Sequence, residues 1–320
     1  MRSNMPYLIK TLIITMLLFV CLMTGAVSAA EKNVGVLWIG ESGMATRVSK
    51  GLVVRLKEQA PDIHLEFKME LESEAKAVPI YEAWQESKDA IVFLRSTGAE
   101  YMGKHPPKIP GFIGGCSNPV VLGAVQNMEA PEGNITGVTY YINARKKIEL
   151  FKQLLPNMKS LGLIVEKGHP SAPIDQEETK SACEALGIEY HDAVCASENE
   201  VLKSAKTFSQ SADLIILGSQ AMINAQARRV AGIVGNTPIA AYIYSSIQGI
   251  GSLCGLAAND EKLGGMLADS VISVVKEGKA INDVPVKVDP EPKFLLNMTM
   301  VEKLGLIVPE EIQEKAQLVE

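Results

Sequence analysis

Histidine and cysteine are scarce in this sequence of 320 residues, which contains four histidines and five cysteines. The histidines lie far apart along the chain, and no Cys-x-x-Cys pair or other spacing typical of a zinc site occurs. We therefore predict no metal site. Four cysteines are too few for the disulfide framework of a chain this long, so we expect buried free thiols. The cysteines beyond the first 30 residues are Cys116, Cys183, Cys195 and Cys254.

Glycine motifs that bind nucleotides are also missing. Neither Gly-x-Gly-x-x-Gly nor Gly-x-x-x-x-Gly-Lys-Ser/Thr occurs, and Gly249 and Gly251 are followed by glycine only at position 255. We predict no nucleotide or other cofactor. The segment 40–43 resembles the nucleophile elbow Gly-x-Ser-x-Gly, but Met44 stands where the second glycine belongs. A serine hydrolase using Ser42 is therefore kept only as an alternative.

The N-terminal segment predicts export from the cytoplasm. Arg2 and Lys10 flank the start of an apolar run at residues 12–23, and small residues follow at 26–30. A membrane anchor needs roughly 20 apolar residues, which is more than this run provides. Cys21 follows valine, whereas a lipid-modified cysteine usually follows a small residue. We expect a signal peptide over residues 1–30 and a periplasmic or secreted protein without a lipid anchor.

An excess of basic residues is absent. The formal net charge is −6, and it becomes −8 without the first 30 residues because Arg2 and Lys10 lie there. No run of lysine and arginine interrupts this acidic balance, so a polyanionic partner would be bound against the overall field. We predict that nucleic acid is not a partner.

Short β-branched runs alternate with helical stretches, which is typical of parallel sheets built from βαβ units. The predicted strands are 34–39, 63–67, 90–94, 111–114 and 135–140 in a first series, and 161–165, 188–193, 214–217 and 239–242 in a second. The two series echo each other, since residues 89–96 and 213–219 both run from an acid through an apolar strand to a hydroxyl. We predict an α/β fold of two Rossmann-like lobes with parallel sheets.

The C-terminal part of the chain indicates how the lobes are joined. A helix predicted at 261–276 returns to the first lobe, and prolines at 285, 290 and 292 precede a return to the second. We expect an N-terminal lobe of residues 31–141 plus 251–284 and a C-terminal lobe of residues 142–250 plus 285–320. The chain then crosses between the lobes three times, which makes a hinge.

Polar and aromatic residues follow the predicted strands at their carboxyl ends, where α/β sheets place their ligands. The candidates are Trp38, Glu41, Ser42, Arg95, Ser96, Thr97, Ser117, Asn118 and Tyr140 in the first lobe, and Ser219, Gln220, Tyr242 and Tyr244 in the second. A helix starting near Ser96 and Thr97 favours an anionic group there, although helix capping alone also explains these hydroxyls. The aromatic rings are candidates to enclose an apolar ligand body or to pack in the core.

Three segments carry a family resemblance. They are Gly-Asn-Ile-Thr-Gly-Val at 133–138 after a Cys-Ser-Asn-Pro turn, Leu-Phe-Lys-Gln-Leu-Leu-Pro at 150–156, and Leu-Gly-Leu-Ile-Val-Pro-Glu-Glu-Ile at 304–312. In these segments the chain resembles the tryptophan/tyrosine-binding-like substrate-binding proteins of ABC transporters. The resemblance implies a type I periplasmic-binding-protein fold, a small solute between the lobes and a membrane permease as partner.

This sequence departs from the family pattern at positions that concern the ligand. Asn118 and Tyr140 stand where the family often has acids, and Gln220 replaces a further acidic or small polar residue. The resemblance implies an amino acid or related small molecule as the solute, and Glu41 is the leading acid left in the predicted cleft. We expect a monomeric importer component that is not an enzyme. A receptor that presents its ligand to a sensor kinase or chemoreceptor is the alternative.

Overall fold

The computed structural model describes residues 31–243 and 251–319, and Lys32–Glu320 forms one compact unit. The predicted signal peptide at 1–30 and Tyr244 lie outside the described residues. Two sheets organise the compact unit, and each is covered by helices. Most of their strands are buried on both faces, as parallel strands are when helices pack on either side.

The first lobe contains a six-stranded parallel sheet with the strand order β11-β5-β4-β3-β1-β2. Its strands are β1 (Lys32–Ile39), β2 (Ile63–Leu71), β3 (Ala90–Leu94), β4 (Gly111–Cys116), β5 (Ile135–Thr139) and β11 (Lys287–Val288). Its helices are α1 (Gly43–Gln59), α2 (Glu74–Ser87), α3 (Arg95–Lys104) and α9 (Asp260–Val271), the last continuing as a π-helical turn (Ile272–Lys276) before a 3₁₀ turn (Ile281–Asp283).

The second lobe contains a seven-stranded sheet with the order β13-β12-β10-β9-β8-β6-β7, in which only the β10–β12 pair is antiparallel among the described strands. Its strands are β6 (Ser160–Glu166), β7 (Glu189–Cys195), β8 (Leu214–Leu217), β9 (Ile239–Ala241), β10 (Cys254–Ala257), β12 (Lys293–Asn297) and β13 (Ala316–Val319). Its helices are α4 (Ala144–Leu154), α5 (Ala172–Leu186), α6 (Glu198–Phe208), α7 (Ala221–Ala225), α8 (Ala227–Ile233), α10 (Met298–Leu304) and α11 (Glu310–Lys315).

The chain passes between the two sheets three times, as predicted: after β5, between β10 and α9, and between β11 and β12. Two of the crossings lie later than expected. Residues 254–257 belong to the second sheet because they pair with β9 and β12, and residues 287–288 belong to the first because they pair with β5. The predicted boundaries at 250/251 and 284/285 were wrong by several residues, because prolines and glycines near a crossing do not mark its position.

The second and third crossings are tied to each other. The backbone N–H of Asn259 donates to Asp289 Oδ2 at 2.9 Å, and Lys262 Nζ lies 2.9 Å from Asp289 Oδ1. The Asp289 side chain is almost fully buried, at 1% exposure. One carboxylate therefore holds both crossings side by side.

All four cysteines in the described residues are free and buried, in agreement with the prediction. Burial raises the pKa of the Cys116 thiol to about 12. A thiol in this state is largely protonated and unreactive at neutral pH.

Candidate functional site

A cleft of about 350 Å³ lies between the lobes, at the carboxyl ends of β1, β3, β4 and β5 of the first sheet and of β6, β8 and β9 of the second. Residues of both lobes line it. They are Glu41, Ser42, Gly43, Met44, Arg95, Ser96, Gly115 and Tyr140 from the first lobe, and His169, Ser219, Ala221, Asn224, Ala225 and Ile243 from the second. This volume falls in the range of sites for small organic ligands.

Two helix starts of the first lobe place serine hydroxyls in the cleft. Ser42 caps α1, since its Oγ accepts the backbone N–H of Ala45 at 3.2 Å. Ser96 lies in the first turn of α3, and its Oγ accepts the backbone N–H of Ser117 at 3.0 Å. Each hydroxyl oxygen thus accepts a bond from the protein. The hydrogen of Ser42 is left to donate, whereas Ser96 also interacts with the hydroxyl of Tyr140.

Arg95 begins α3 in a backbone conformation that is uncommon for its residue type. Its φ is 74°, in the left-handed region, which costs roughly 1–2 kcal/mol for a residue with a Cβ. The Nη1 atom donates to the carbonyl of Ile39, and burial lowers the pKa of the guanidinium. The strained backbone and the carbonyl of β1 together hold a positive charge at the cleft.

Tyr140 connects the lobes. Its hydroxyl interacts with Ser96 of the first lobe and Ser219 of the second. Burial raises the pKa of Tyr140 to about 12, so the phenol stays protonated at neutral pH. Its position in the chain, directly after β5 and before the first crossing, explains how one side chain reaches both lobes.

A buried carboxylate supports the second-lobe wall. Asp175 Oδ2 accepts the backbone N–H and the hydroxyl of Ser219, each at 2.8 Å, and the amide of Gln220 at 2.7 Å. Burial raises the pKa of Asp175 although these donors act against it. Asp175 therefore fixes the β8–α7 turn from behind the cleft.

A buried lysine lies in the next layer behind this wall. Lys147 Nζ is 4.3 Å from the ring centroid of Tyr242, a distance at which a cation is attracted to the ring. Burial lowers the pKa of Lys147 to about 8, against the attraction of Asp175 and Glu178. A void of only about 10 Å³, bordered by Lys147, Asp175, Tyr140 and Tyr242, separates this layer from the cleft.

The structure brings part of the predicted site together. The predicted residues that line the cleft are Glu41, Ser42, Arg95, Ser96, Tyr140 and Ser219. Ser117 and Tyr242 border the small void behind it, and Gln220, which is fully buried, bonds to Asp175 and to Ser171. These three residues support the wall instead of facing the cleft.

Three further predicted residues are not among those lining the cleft. Trp38 is 1% exposed and belongs to the hydrophobic core of the first lobe with Val34 and Val36. Asn118 uses its Oδ1 to accept the backbone N–H groups of Val120 and Val121, as a turn residue does. The hydroxyl oxygen of Thr97 is buried in the first turn of α3, and Tyr244 lies outside the described residues.

Sequence reasoning missed His169 and Asn224. His169 follows β6, so it holds in the second lobe the position that Glu41 and Ser42 hold after β1. The position of His169 just beyond the carboxyl end of β6 was therefore the sequence signal that could have identified it. Asn224 lies on α7 and donates its Nδ2 to the carbonyls of Gly218 and Gln220, at 2.6 and 2.7 Å.

Replacing Thr97 with valine is expected to leave ligand affinity unchanged and the free energy of unfolding unchanged or up to about 1 kcal/mol higher. Within the described residues the Thr97 hydroxyl oxygen is buried without a hydrogen-bond partner, so an apolar group of the same shape removes an unpaired polar atom. Chemical denaturation and calorimetric titration measure the two quantities. Ser96→Ala is the contrasting variant, because it leaves the backbone N–H of Ser117 without its acceptor. Weaker ligand binding by Thr97→Val would contradict the placement of Thr97 outside the cleft lining.

His169 is expected to make stability fall in acid. Burial first, and the charge of Arg95 second, lower the pKa of His169 to about 4 from 6.5. Between pH 6.5 and about 4 the unfolded chain binds a proton that the folded chain does not, so the free energy of unfolding falls as the pH falls through this window. Unfolding curves across this range should show a shallower fall for His169→Asn than for the wild type. His64→Asn, at an exposed position, is the control, and parallel curves for His169→Asn would contradict the assignment.

Neither a cluster of three or more metal-binding side chains nor a helix long and apolar enough to span a membrane is found among residues 31–243 and 251–319.

Comparison with known proteins agrees with the two-lobed geometry. The structure matches, with a TM-score of 0.81 and 23% identity, a conserved domain protein from Vibrio cholerae, covering 91% of this chain and 100% of that one. An ABC domain from Streptococcus pneumoniae in complex with L-Trp matches with the same TM-score at 21% identity and the same coverage. The predicted fold is confirmed: two parallel-sheet lobes, as in type I periplasmic binding proteins.

Sequence comparison identifies the family. A tyrosine-binding protein of Clostridioides difficile (strain R20291) is 22% identical over 286 residues, which cover 87% of this chain and 82% of that protein. The model of a family described as ABC transporter substrate binding protein matches residues 33–320. Since this match spans nearly all of the sequence, the chain belongs to the ABC transporter substrate-binding protein family.

Proposed function

We propose that this protein is the extracytoplasmic solute-binding component of an ABC importer. Residues 1–30 are removed as a signal peptide, and the remaining monomer, without a lipid anchor, captures an amino acid or related small molecule between its lobes. It delivers this solute to a membrane permease without turning it over. The observation that carries the proposal is a cleft of about 350 Å³ with walls from both lobes.

A cleft of this kind couples binding to closure. A ligand that touches Ser42 and Arg95 on one side and Ser219 on the other stabilises the closed form over the open one by its differential contacts. The lobes would move as two bodies about the three crossings, with Asp289 keeping the second and third together. A permease can then distinguish the loaded protein from the empty one by its shape.

Two similarities support an amino-acid-sized solute. One relative is a tyrosine-binding protein, and one similar structure is a complex with L-Trp. A cavity of about 350 Å³ has room for a molecule of that size.

A thermal-shift screen of residues 31–320 tests the proposal. The panel contains amino acids, small carboxylates, purines and sugars, because a ligand that binds only the folded state raises the melting temperature by mass action. We expect a saturable shift with one class and full recovery of that ligand after incubation. The matched variants are Ser219→Ala, expected to reduce the shift, and Thr97→Val, expected to retain it. Absence of any shift across the panel would count against solute capture.

A hydrolase has one observation in its favour, since Ser42 and His169 line the same cleft. Their hydrogen bonds favour structural roles: Ser42 caps α1, and His169 Nδ1 contacts the backbone N–H and hydroxyl of Ser171 at 3.2 and 2.9 Å. Turnover of an ester or amide that is lost in Ser42→Ala would support hydrolysis. Binding without product formation would support a receptor.

A further inference from the structure

The cleft is rich in hydrogen-bond donors and poor in free carboxylates. Building on the proposed function, we infer that the solute is an organic acid anion without an ammonium group, a carboxylate whose neighbouring carbon carries hydrogen, a hydroxyl or an oxo group in place of an amine.

Side chains of the first lobe present hydrogen-bond donors to the cleft. The oxygen of Ser42 already accepts a backbone N–H group, so its hydroxyl hydrogen is the group left for a ligand. Arg95 uses Nη1 on a carbonyl of its own chain, which leaves its other N–H groups for an acceptor. Tyr140 and Ser96 also line the cleft, but their hydroxyls interact with each other. A carboxylate is the ligand group that best matches a guanidinium with neighbouring hydroxyls.

The buried acids near the cleft are held by the protein itself. Asp175 accepts three hydrogen bonds from Ser219 and Gln220 and lies behind the wall. Glu166 accepts the backbone N–H of Met222 and borders a neighbouring cavity instead of the cleft. Each of the two carboxyl groups already has a cation of the protein near it, Lys147 for Asp175 and Arg95 for Glu166.

The remaining acid of the cleft is Glu41, which is exposed to solvent. An ion pair at an exposed position contributes about 0–1 kcal/mol, whereas an ammonium group that loses water without a close acceptor costs several. An amino acid would therefore bury its ammonium group beside Arg95 without a matching negative charge.

Matched ligands that differ only at the amine test the inference. Isothermal titration of residues 31–320 compares L-phenylalanine with phenyllactate, phenylpyruvate and 3-phenylpropionate, and L-leucine with its 2-hydroxy, 2-oxo and unsubstituted analogues. We expect at least one anion to bind at least tenfold more tightly than the amino acid of the same skeleton.

Two variants locate the charges that decide the preference. Arg95→Asn should weaken anion binding at least tenfold while the fold persists, because asparagine tolerates the left-handed backbone at this position. Glu41→Gln should strengthen anion binding by no more than about fivefold, because it removes an exposed like charge from the cleft. Circular dichroism and the melting temperature of each variant confirm that it is folded before its titration is interpreted.

Each other outcome has a separate meaning. Amino-acid binding as tight as that of the anions would overturn the inference and leave solute capture standing, and weakening of that binding by Glu41→Gln would assign the ammonium group to Glu41. Exclusive binding of a neutral sugar or purine would likewise overturn the anion assignment alone. Failure of anions, amino acids, purines and sugars together would overturn both the inference and the proposed function.

Discussion

Replacing Asp175 with alanine is expected to lower the free energy of unfolding by about 3–5 kcal/mol and to abolish ligand binding. The substitution removes the acceptor of three hydrogen bonds from Ser219 and Gln220, at 2.7–2.8 Å. It also leaves the buried Lys147 without Asp175, the stronger of the two carboxylates that favour its charge, so that only Glu178 remains. Removing one member of a buried charge cluster costs this much because the other charge stays desolvated and uncompensated. Urea denaturation and calorimetric titration measure the two effects.

Two companion variants separate the charge from the hydrogen bonds. Lys147→Met in the Asp175→Ala background should restore part of the lost stability, since the uncompensated ammonium is then gone. Asp192→Ala, at an exposed position of the same lobe, should change stability by no more than about 0.5 kcal/mol. An equal loss in Asp175→Ala with and without Lys147 would show that the two side chains are not coupled.

The fold could be predicted from the sequence because parallel strands buried on both faces leave continuous apolar runs. The ranges 90–94 and 214–217 agree with β3 and β8 residue for residue. The positions of the crossings were harder to predict from the sequence, because strand pairing decides which lobe a segment joins. Residues 254–257 and 287–288 read as short extended segments, and only their hydrogen-bond partners in the folded protein assign them to a sheet.

The candidate site was predicted in part, and its errors have a common cause. The carboxyl end of a strand locates a residue to within a few ångströms, but the direction of its side chain depends on the alternation of the strand and on the turn that follows. Trp38 shares the face of Val34 and Val36 and therefore enters the core. Ser96 faces the cleft and Thr97 does not, although both open the same helix.

The two charged residues behind the cleft wall could not be predicted. Asp175 and Lys147 lie on α5 and α4, 44 and 72 residues before Ser219, and look like ordinary charges of amphipathic helices. Only the tertiary structure shows that both side chains are buried beside the cleft wall. A lysine in a helix is usually solvated, so the sequence favours the wrong environment for Lys147.

The wall of the first lobe depends on a close contact between two helices. Gly264 of α9 lies against α1, and a Cβ placed there would be 2.1 Å from the carbonyl oxygen of Val48 and 2.8 Å from the backbone N of Leu52. The contact is reciprocal, since a Cβ at Gly51 would be 2.1 Å from the carbonyl oxygen of Glu261. Backbone atoms cannot rotate away as a side chain can, so the helices must separate to accept even a methyl group.

Gly264→Ala is therefore expected to lower the free energy of unfolding by about 1–3 kcal/mol, the usual cost of overpacking. Gly265→Ala, at the neighbouring position, is a control for which we expect a change in the free energy of unfolding of opposite sign. A Cβ at Gly265 meets nothing within 4 Å, and replacing glycine by alanine inside a helix stabilises it by about 0.5–1 kcal/mol. Denaturation of the two variants beside the wild type measures both changes.

The same pair of variants connects the helix contact to the cleft. Separation of α1 from α9 displaces the start of α1, where Ser42 contributes to the first-lobe wall, so Gly264→Ala should also weaken ligand binding. Gly265→Ala should bind as the wild type does. Stabilisation in both variants would mean that helix propensity, and not the distance between α1 and α9, governs this position.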